Sequence, residues 1–190
     1  NQTFAGVVPI AYDPVTPTLE TVSFASNNTN TAYAKVGDEV TVTITTDEAL
    51  FSNPNFSLFT VDDIELLNTD GGTMKAFART IEITDAMGEG TIDNTNTNAN
   101  NFKITGYSDA AGNAGVDRLT PTDDSSILLD KTPPVSNSVT FSHDGTDYDA
   151  TDDYTYLKLG ASVTVIIDPN EEIQQPSLQL FKQSGAYETS

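Results

Sequence analysis

Apolar and threonine residues alternate with a period of two through Val40-Thr41-Val42-Thr43-Ile44-Thr45, the pattern of a β-strand with one buried face. Successive side chains of a strand point to opposite sides. Val40, Val42 and Ile44 are therefore expected in a core, and Thr41, Thr43 and Thr45 toward water. Shorter runs of the same kind are Val22–Phe24, Asn55–Phe59 after Pro54, Phe77–Ile83, Phe102–Tyr107 and Ser126–Leu129. Turn formers separate them: Asp70-Gly71-Gly72, Gly88-Glu89-Gly90, the Asn/Thr-rich stretch 93–101 and Asp109–Asn113. No stretch reads as an amphipathic helix. The pattern predicts an all-β chain with a core built on Val40, Val42, Ile44, Phe56, Leu58, Ile81, Phe102 and Ile104.

The pattern also returns. DPVTPTLETVSF (13–24) reappears as DKTPPVSNSVTF (130–141), 117 residues further on. TAYAKVGDEVTVTITT (31–46) reappears in TYLKLGASVTVII (155–167) at an offset of 123, with Gly37 over Gly160 and Val40, Val42, Ile44 over Val163, Val165, Ile167. Pro54–Phe59 is mirrored by Pro176–Phe181, and VVPIAY before Asp13 by SSILL before Asp130. Recurrence at a fixed period is the mark of an array of units. The expected organisation is the last strand of a preceding repeat or an N-terminal extension (1–13), a complete domain (14–130) and the first half of the next (131–190). Joining 1–13 to 131–190 as one permuted domain fails on length, because the two together fall about 44 residues short of a unit. Roughly seven strands in a unit of about 110 residues point to an immunoglobulin-like sandwich, antiparallel with Greek-key connections.

Composition narrows the partners. Eight Lys and Arg stand against 28 Asp and Glu, a net charge of −20. Nucleic acid and anionic lipid both need cationic side chains to displace counterions, so neither is an expected partner. The balance suits a protein that lives in salt or holds divalent cations. Cysteine is absent, which removes disulfides and thiol chemistry. No apolar run approaches the roughly 18 residues needed to cross a membrane as a helix.

Three stretches carry a resemblance: Ala34-Lys-Val-Gly-Asp-Glu-Val-Thr-Val-Thr43, Gly106-Tyr-Ser-Asp-Ala-Ala-Gly-Asn113 and Leu129-Asp-Lys-Thr-Pro-Pro134. In these, the chain resembles the Big-type immunoglobulin-like tandem repeats of large bacterial and archaeal cell-surface proteins. The resemblance covers most of 14–135. It implies an extracellular, structural, non-enzymatic role, as in surface layers (S-layers), adhesin stalks or biofilm matrix, with neighbouring copies or repeats as partners. Two alternatives stand beside it. One is a module that grips a carbohydrate or receptor through the loops 93–101 and 113–125, which depart from the family pattern. The other is a filament subunit in which 1–13 completes a neighbour's open sheet.

Calcium is the one cofactor that the residues argue for. Hard cations take six to eight oxygens, many of them carboxylates. In an immunoglobulin-like unit Asp47 and Glu48 after one strand, and Asp109 and Asn113 before the last, share the pole where the chain enters at Asp13. Asp130 is expected to meet Glu171 at the next junction, beside Asp85 or Glu89. The competing reading makes Asp109 a cap of its own turn. The triplets starting at Asn1, Asn27 and Asn55 are candidate glycan acceptors. Catalysis finds no footing: His143, the sole histidine, is placed in a polar loop, and acid/base work needs groups converging in a pocket.

Overall fold

The computed structural model describes residues 10–144 and 160–179. They contain no helix and divide into two compact units that part between Lys131 and Thr132.

The described residues of the first unit form ten strands. β1 (Leu19–Ser26), β3 (Glu39–Thr46), β7 (Ala76–Glu82) and β6 (Leu67–Asn68) form a four-stranded antiparallel sheet in the order β1-β3-β7-β6. β5 (Val61–Glu65), β4 (Asn55–Leu58) and β9 (Phe102–Thr105) form a second, antiparallel throughout. A third joins β2 (Tyr33–Ala34), β10 (Ile127–Leu129) and β8 (Gly90–Ile92). The β2–β10 pair is parallel, a departure from the wholly antiparallel arrangement expected. Short β2 and β6 carry too few residues to show a period in sequence.

The threonine alternation of β3 sorts as its pattern requires. Val40, Val42 and Ile44 are fully buried, while on the other face Thr41 bonds to Thr80 at 2.8 Å and Thr21 to Thr45 at 2.7 Å. Such cross-strand hydroxyl pairs each add a few tenths of a kcal/mol to about 1 kcal/mol. The core lies where the β1-β3-β7 face meets β4 and β9, a sandwich-like packing: the ring of Phe24 on β1 stands edge-on to Phe102 on β9, centroids 4.6 Å apart. Of the eight predicted core residues seven are fully buried. The exception is Ile81, only half-buried; it lies beyond the reach of β6, which pairs with Phe77 and Ala78 alone. Ile83 takes the fully buried place instead.

The Asn/Thr-rich stretch 93–101 is tied to the fold. The β4–β5 hairpin turns on Phe59 and Thr60, both at positive φ (46° and 73°), a turn that normally calls for Asn or Gly. It is held by its neighbours: Phe59 N–H donates to Asn101 O (2.9 Å) and Thr60 N–H to Asn100 O (2.7 Å). The Asn101 amide donates in turn to Thr91 O, and the Asn96 amide to Leu119 O. The two long loops are thus braced against each other.

The second unit shows β11 (Ser136–His143) and β12 (Val163–Pro169), paired antiparallel. Its register repeats that of β1 with β3. Val22↔Ile44 and Phe24↔Val42 become Val139↔Ile167 and Phe141↔Val165. The irregularity between Leu19 and Thr21 returns between Ser136 and Ser138, 117 residues on. Gly37 and Gly160, which open β3 and β12 at the offset of 123, have the same φ of 89°. Burial does not follow. Val163 is exposed and Val165 and Ile167 are half-exposed, against the expectation of a second buried set. Nothing among the described residues of this unit covers them as β4 and β9 cover β3. The strand expected over Pro176–Phe181 is not formed through residue 179; Leu180 and Phe181 lie outside the described residues.

Candidate metal site at the Asp13 pole

Asp109 follows β9 in a tight turn closed by Gly112 at φ 92°. Its Oδ1 accepts the N–H groups of Ala111 (2.9 Å) and Asn113 (2.8 Å), and its Oδ2 accepts the Asn113 amide at 2.7 Å. The capping role foreseen for it is therefore present, and the residue is 2% exposed. The same Asn113 amide donates to the main-chain carbonyl of Asp13 at 2.9 Å. This bond carries the entering chain, 100 residues away in sequence, onto the turn. Glu48 arrives from the end of β3, its carbonyl fixed by the Thr46 hydroxyl at 2.6 Å.

The outcome is a triad. One carboxylate oxygen from each of Asp13, Glu48 and Asp109 lies within 4.8 Å of the others, close enough to share a cation. Glu48 Oε1 is buried and accepts no hydrogen bond. A buried acceptor without a donor is costly. The electrostatics follow from the geometry. Burial, and then the charges of Asp13, Asp109 and Asp47, push the Glu48 carboxyl above its ordinary range; Lys75 opposes them weakly. For Asp109, burial disfavours the charge, but hydrogen bonds from the Asn113 side chain and the turn N–H groups outweigh it and hold the carboxyl below its ordinary range. A hard cation would turn the repulsion around Glu48 into attraction. The donor set, oxygen only, fits such an ion.

Asp47 stands outside the triad. Both of its oxygens are taken by Thr18, Oδ1 by the N–H at 2.8 Å and Oδ2 by the hydroxyl at 2.9 Å. The Thr18 N–H holds its carboxyl below the ordinary range, and the residue pins the entry to β1. Asn113 also changes role, since its amide nitrogen clamps two chain segments together. Asp130, in the first unit, donates its N–H to Ala34 O (3.0 Å), and Glu171 belongs to the second unit. Beside Asp130 the turn holding Asp85 and Glu89 is engaged by Lys131: its N–H donates to Glu89 Oε1 (2.9 Å) and its ammonium to the carbonyls of Asp85 and Met87. The sequence offered no signal for Thr18 or Lys131, whose partners are distant along the chain.

The other candidates fare unevenly. Asn1 lies outside the described residues. Asn27 is exposed, with its amide engaged by Glu39. Asn55 is half-buried in β4, the central strand of its sheet, and Ser57 of the same triplet is 7% exposed. His143 is no loop residue: it ends β11 opposite Val163. Among the described residues no helix is long and apolar enough to cross a membrane. No protein-family model, curated protein or solved structure matches the chain.

Proposed function

We propose that the chain is a segment of an extracellular structural protein built from tandem immunoglobulin-like units, of the kind that makes a surface layer or an adhesin stalk. A hard divalent cation, which we propose to be calcium, stiffens the first unit where the chain enters. The observation that carries this reading is the shared register of β1–β3 and β11–β12, with the same irregularity at the same position and the same glycine turn before the second strand. Two segments that pair alike in such detail are read as two copies of one unit, and a protein made of copies acts through length and surface. The cation has a mechanical task. It ties Asp13, on the entering chain, to Glu48 and Asp109, on the body of the unit, and neutralises part of a net charge of −20.

The alternative of a glycan-gripping module is less well supported, because the side chains of Asn96, Asn98 and Asn101 make hydrogen bonds within the fold. Small-angle scattering of the full chain, with calcium and with EDTA, tests the proposal. The expected result is an extended profile in calcium and a broader, more flexible one in EDTA. Identical profiles, with no heat of calcium binding by calorimetry, would dismiss the cation. The unfolding midpoint of the first unit should fall only modestly with EDTA, because the core between β3 and β9 contains no metal ligand.

A further inference from the structure

We propose that Lys75 sets the affinity of the cation site at the Asp13 pole. Its ammonium is a resident positive charge with which an arriving cation must share the carboxylates. The proposal rests on reading the triad as a cation site and adds what regulates its strength.

The strand register puts Lys75 there. β3 and β7 pair with Thr45 opposite Ala76, so Lys75 lies beside Thr46, where β3 gives way to the Asp47–Leu50 loop. The main chain fixes it on both sides. Its N–H donates to Asp70 Oδ2 at 2.7 Å, and its carbonyl accepts the Thr46 N–H at 2.9 Å. The ammonium then reaches the main-chain carbonyl of Asp47 at 2.6 Å. The next residue is Glu48. An exposed lysine normally spreads its charge over many rotamers. Held at three points, this one keeps its charge at the start of the loop that carries Glu48.

Two roles are open to such a lysine, and they predict opposite results. As a staple it positions Glu48, so its loss would weaken cation binding. As a charge it competes with the cation, so its loss would strengthen binding. The structure favours the charge. Around the Glu48 carboxyl the charges of Asp13, Asp109 and Asp47 repel, and that of Lys75 attracts. The staple, by contrast, is duplicated. Thr46 N–H on Lys75 O and Leu50 N–H on Met74 O, both at 2.9 Å, tie the loop to β7 through the main chain and need no side chain of Lys75. Four carboxylates (Asp13, Asp47, Glu48 and Asp109) and one ammonium leave a formal charge of −3 at this pole, which a divalent cation brings to −1. Without Lys75 the empty pole would stand at −4, repel itself more strongly and hold the ion more tightly. Lys75 therefore lowers affinity and steadies the empty state, so that the unit keeps its fold without the ion and takes it up where the ion is plentiful.

The experiment is calorimetry of calcium binding to the full chain, native and with Lys75→Met or Lys75→Arg, at low and at high sodium chloride. Lys75→Met should bind calcium about three- to tenfold more tightly, the size expected on removing one unit charge from a largely solvated site. Lys75→Arg keeps the charge and should stay near the native affinity. The gain of Lys75→Met should shrink in about 1 M salt, where charges are screened within about 3 Å; a packing effect would not follow the salt. In EDTA at low salt Lys75→Met should melt below the native chain. A Lys75→Met chain that binds no more tightly, with its circular dichroism intact, overturns the proposal. So does a Lys75→Arg chain that binds as tightly as Lys75→Met. If Lys75→Met loses the native spectrum, Lys75→Gln, uncharged but polar, carries the same expectation and the same refutation. A native chain with no heat of calcium binding dismisses the cation site and this proposal with it, whereas native binding without tightening in the variant overturns the role of Lys75 alone.

Discussion

The side-chain amide of Asn113 donates to the main-chain carbonyl of Asp13 at 2.9 Å and, with the same nitrogen, to Asp109 Oδ2 at 2.7 Å. One polar side chain thereby binds the entering strand to the turn that precedes the end of the unit, and it does so without contributing a carboxylate. The clamp holds Asp13 beside the turn that carries Asp109.

Replacing Asn113 with Ala should accordingly separate Asp13 from Asp109. Two hydrogen bonds are lost, one of them to a charged group, and a cost of about 1–3 kcal/mol is expected in denaturant unfolding of the first unit. Calcium affinity measured by calorimetry should fall with it, whereas Asp47→Ala should leave affinity nearly unchanged.

Glu48→Gln should separate charge from cation. In EDTA at neutral pH the variant should melt above the native chain, because burial and then the charges of Asp13, Asp109 and Asp47 disfavour the charged form of Glu48 in the folded unit. The sign follows from the raised carboxyl: its charged form is disfavoured by folding, so its penalty is present above its folded value and absent below about 4.5. The advantage of the variant should vanish as the pH falls through that window. In calcium the order should reverse, with the native chain the more stable.

Asp47, Asp70, Asp93 and Asp109 run the other way. Each is held below its ordinary range of about 3.8: Asp47 first by the Thr18 N–H, Asp70 by Thr73 and Asp93 by Thr95, while Asp109 owes it to hydrogen bonds that outweigh burial. Their contribution is complete above pH 4 and is lost as the pH falls through their folded values. Unfolding followed by circular dichroism should therefore show stability dropping below pH 4. Asp70→Asn should flatten that drop, since the Asp70 carboxylate gathers the N–H groups of Met74, Lys75 and Ala76.

Gly115 lies against the ring of Tyr107. A Cβ added there would stand 1.9 Å from Tyr107 Cε2, while the Tyr107 hydroxyl is fixed on Val116 O at 2.7 Å. Gly115→Ala should cost about 1–3 kcal/mol by overpacking. Much of that loss should return in a Gly115→Ala/Tyr107→Leu chain, as non-additive unfolding free energies would show.

The two copies of the strand pair offer an internal control. Val42→Ala should cost about 1–3 kcal/mol in the first unit. Val165→Ala, at the equivalent place on β12, should cost about 0.5 kcal/mol or less for the chain alone. Equal costs would mean that Val165 is covered in solution.

Period-two alternation alone placed β3, its buried face and its threonine face, and recurrence alone matched Phe24 with Phe141 and Gly37 with Gly160. Both properties are local: a strand's side-chain alternation follows from its backbone, whatever lies above it. What covers a face is not local. Val42 and Val165 occupy equivalent sequence positions, yet only Val42 is buried, because Phe102 and its neighbours arrive from strands far along the chain. The same reason divides the site. Asp13, Glu48 and Asp109 were recognisable as oxygen donors for one pole. That Asp47 is spent on Thr18, that Asn113 is a clamp and that Lys131 engages the Asp85–Glu89 turn depend on pairings that span 29 to 100 residues. Such pairings are decided by which strands lie side by side, and only the tertiary structure holds that information.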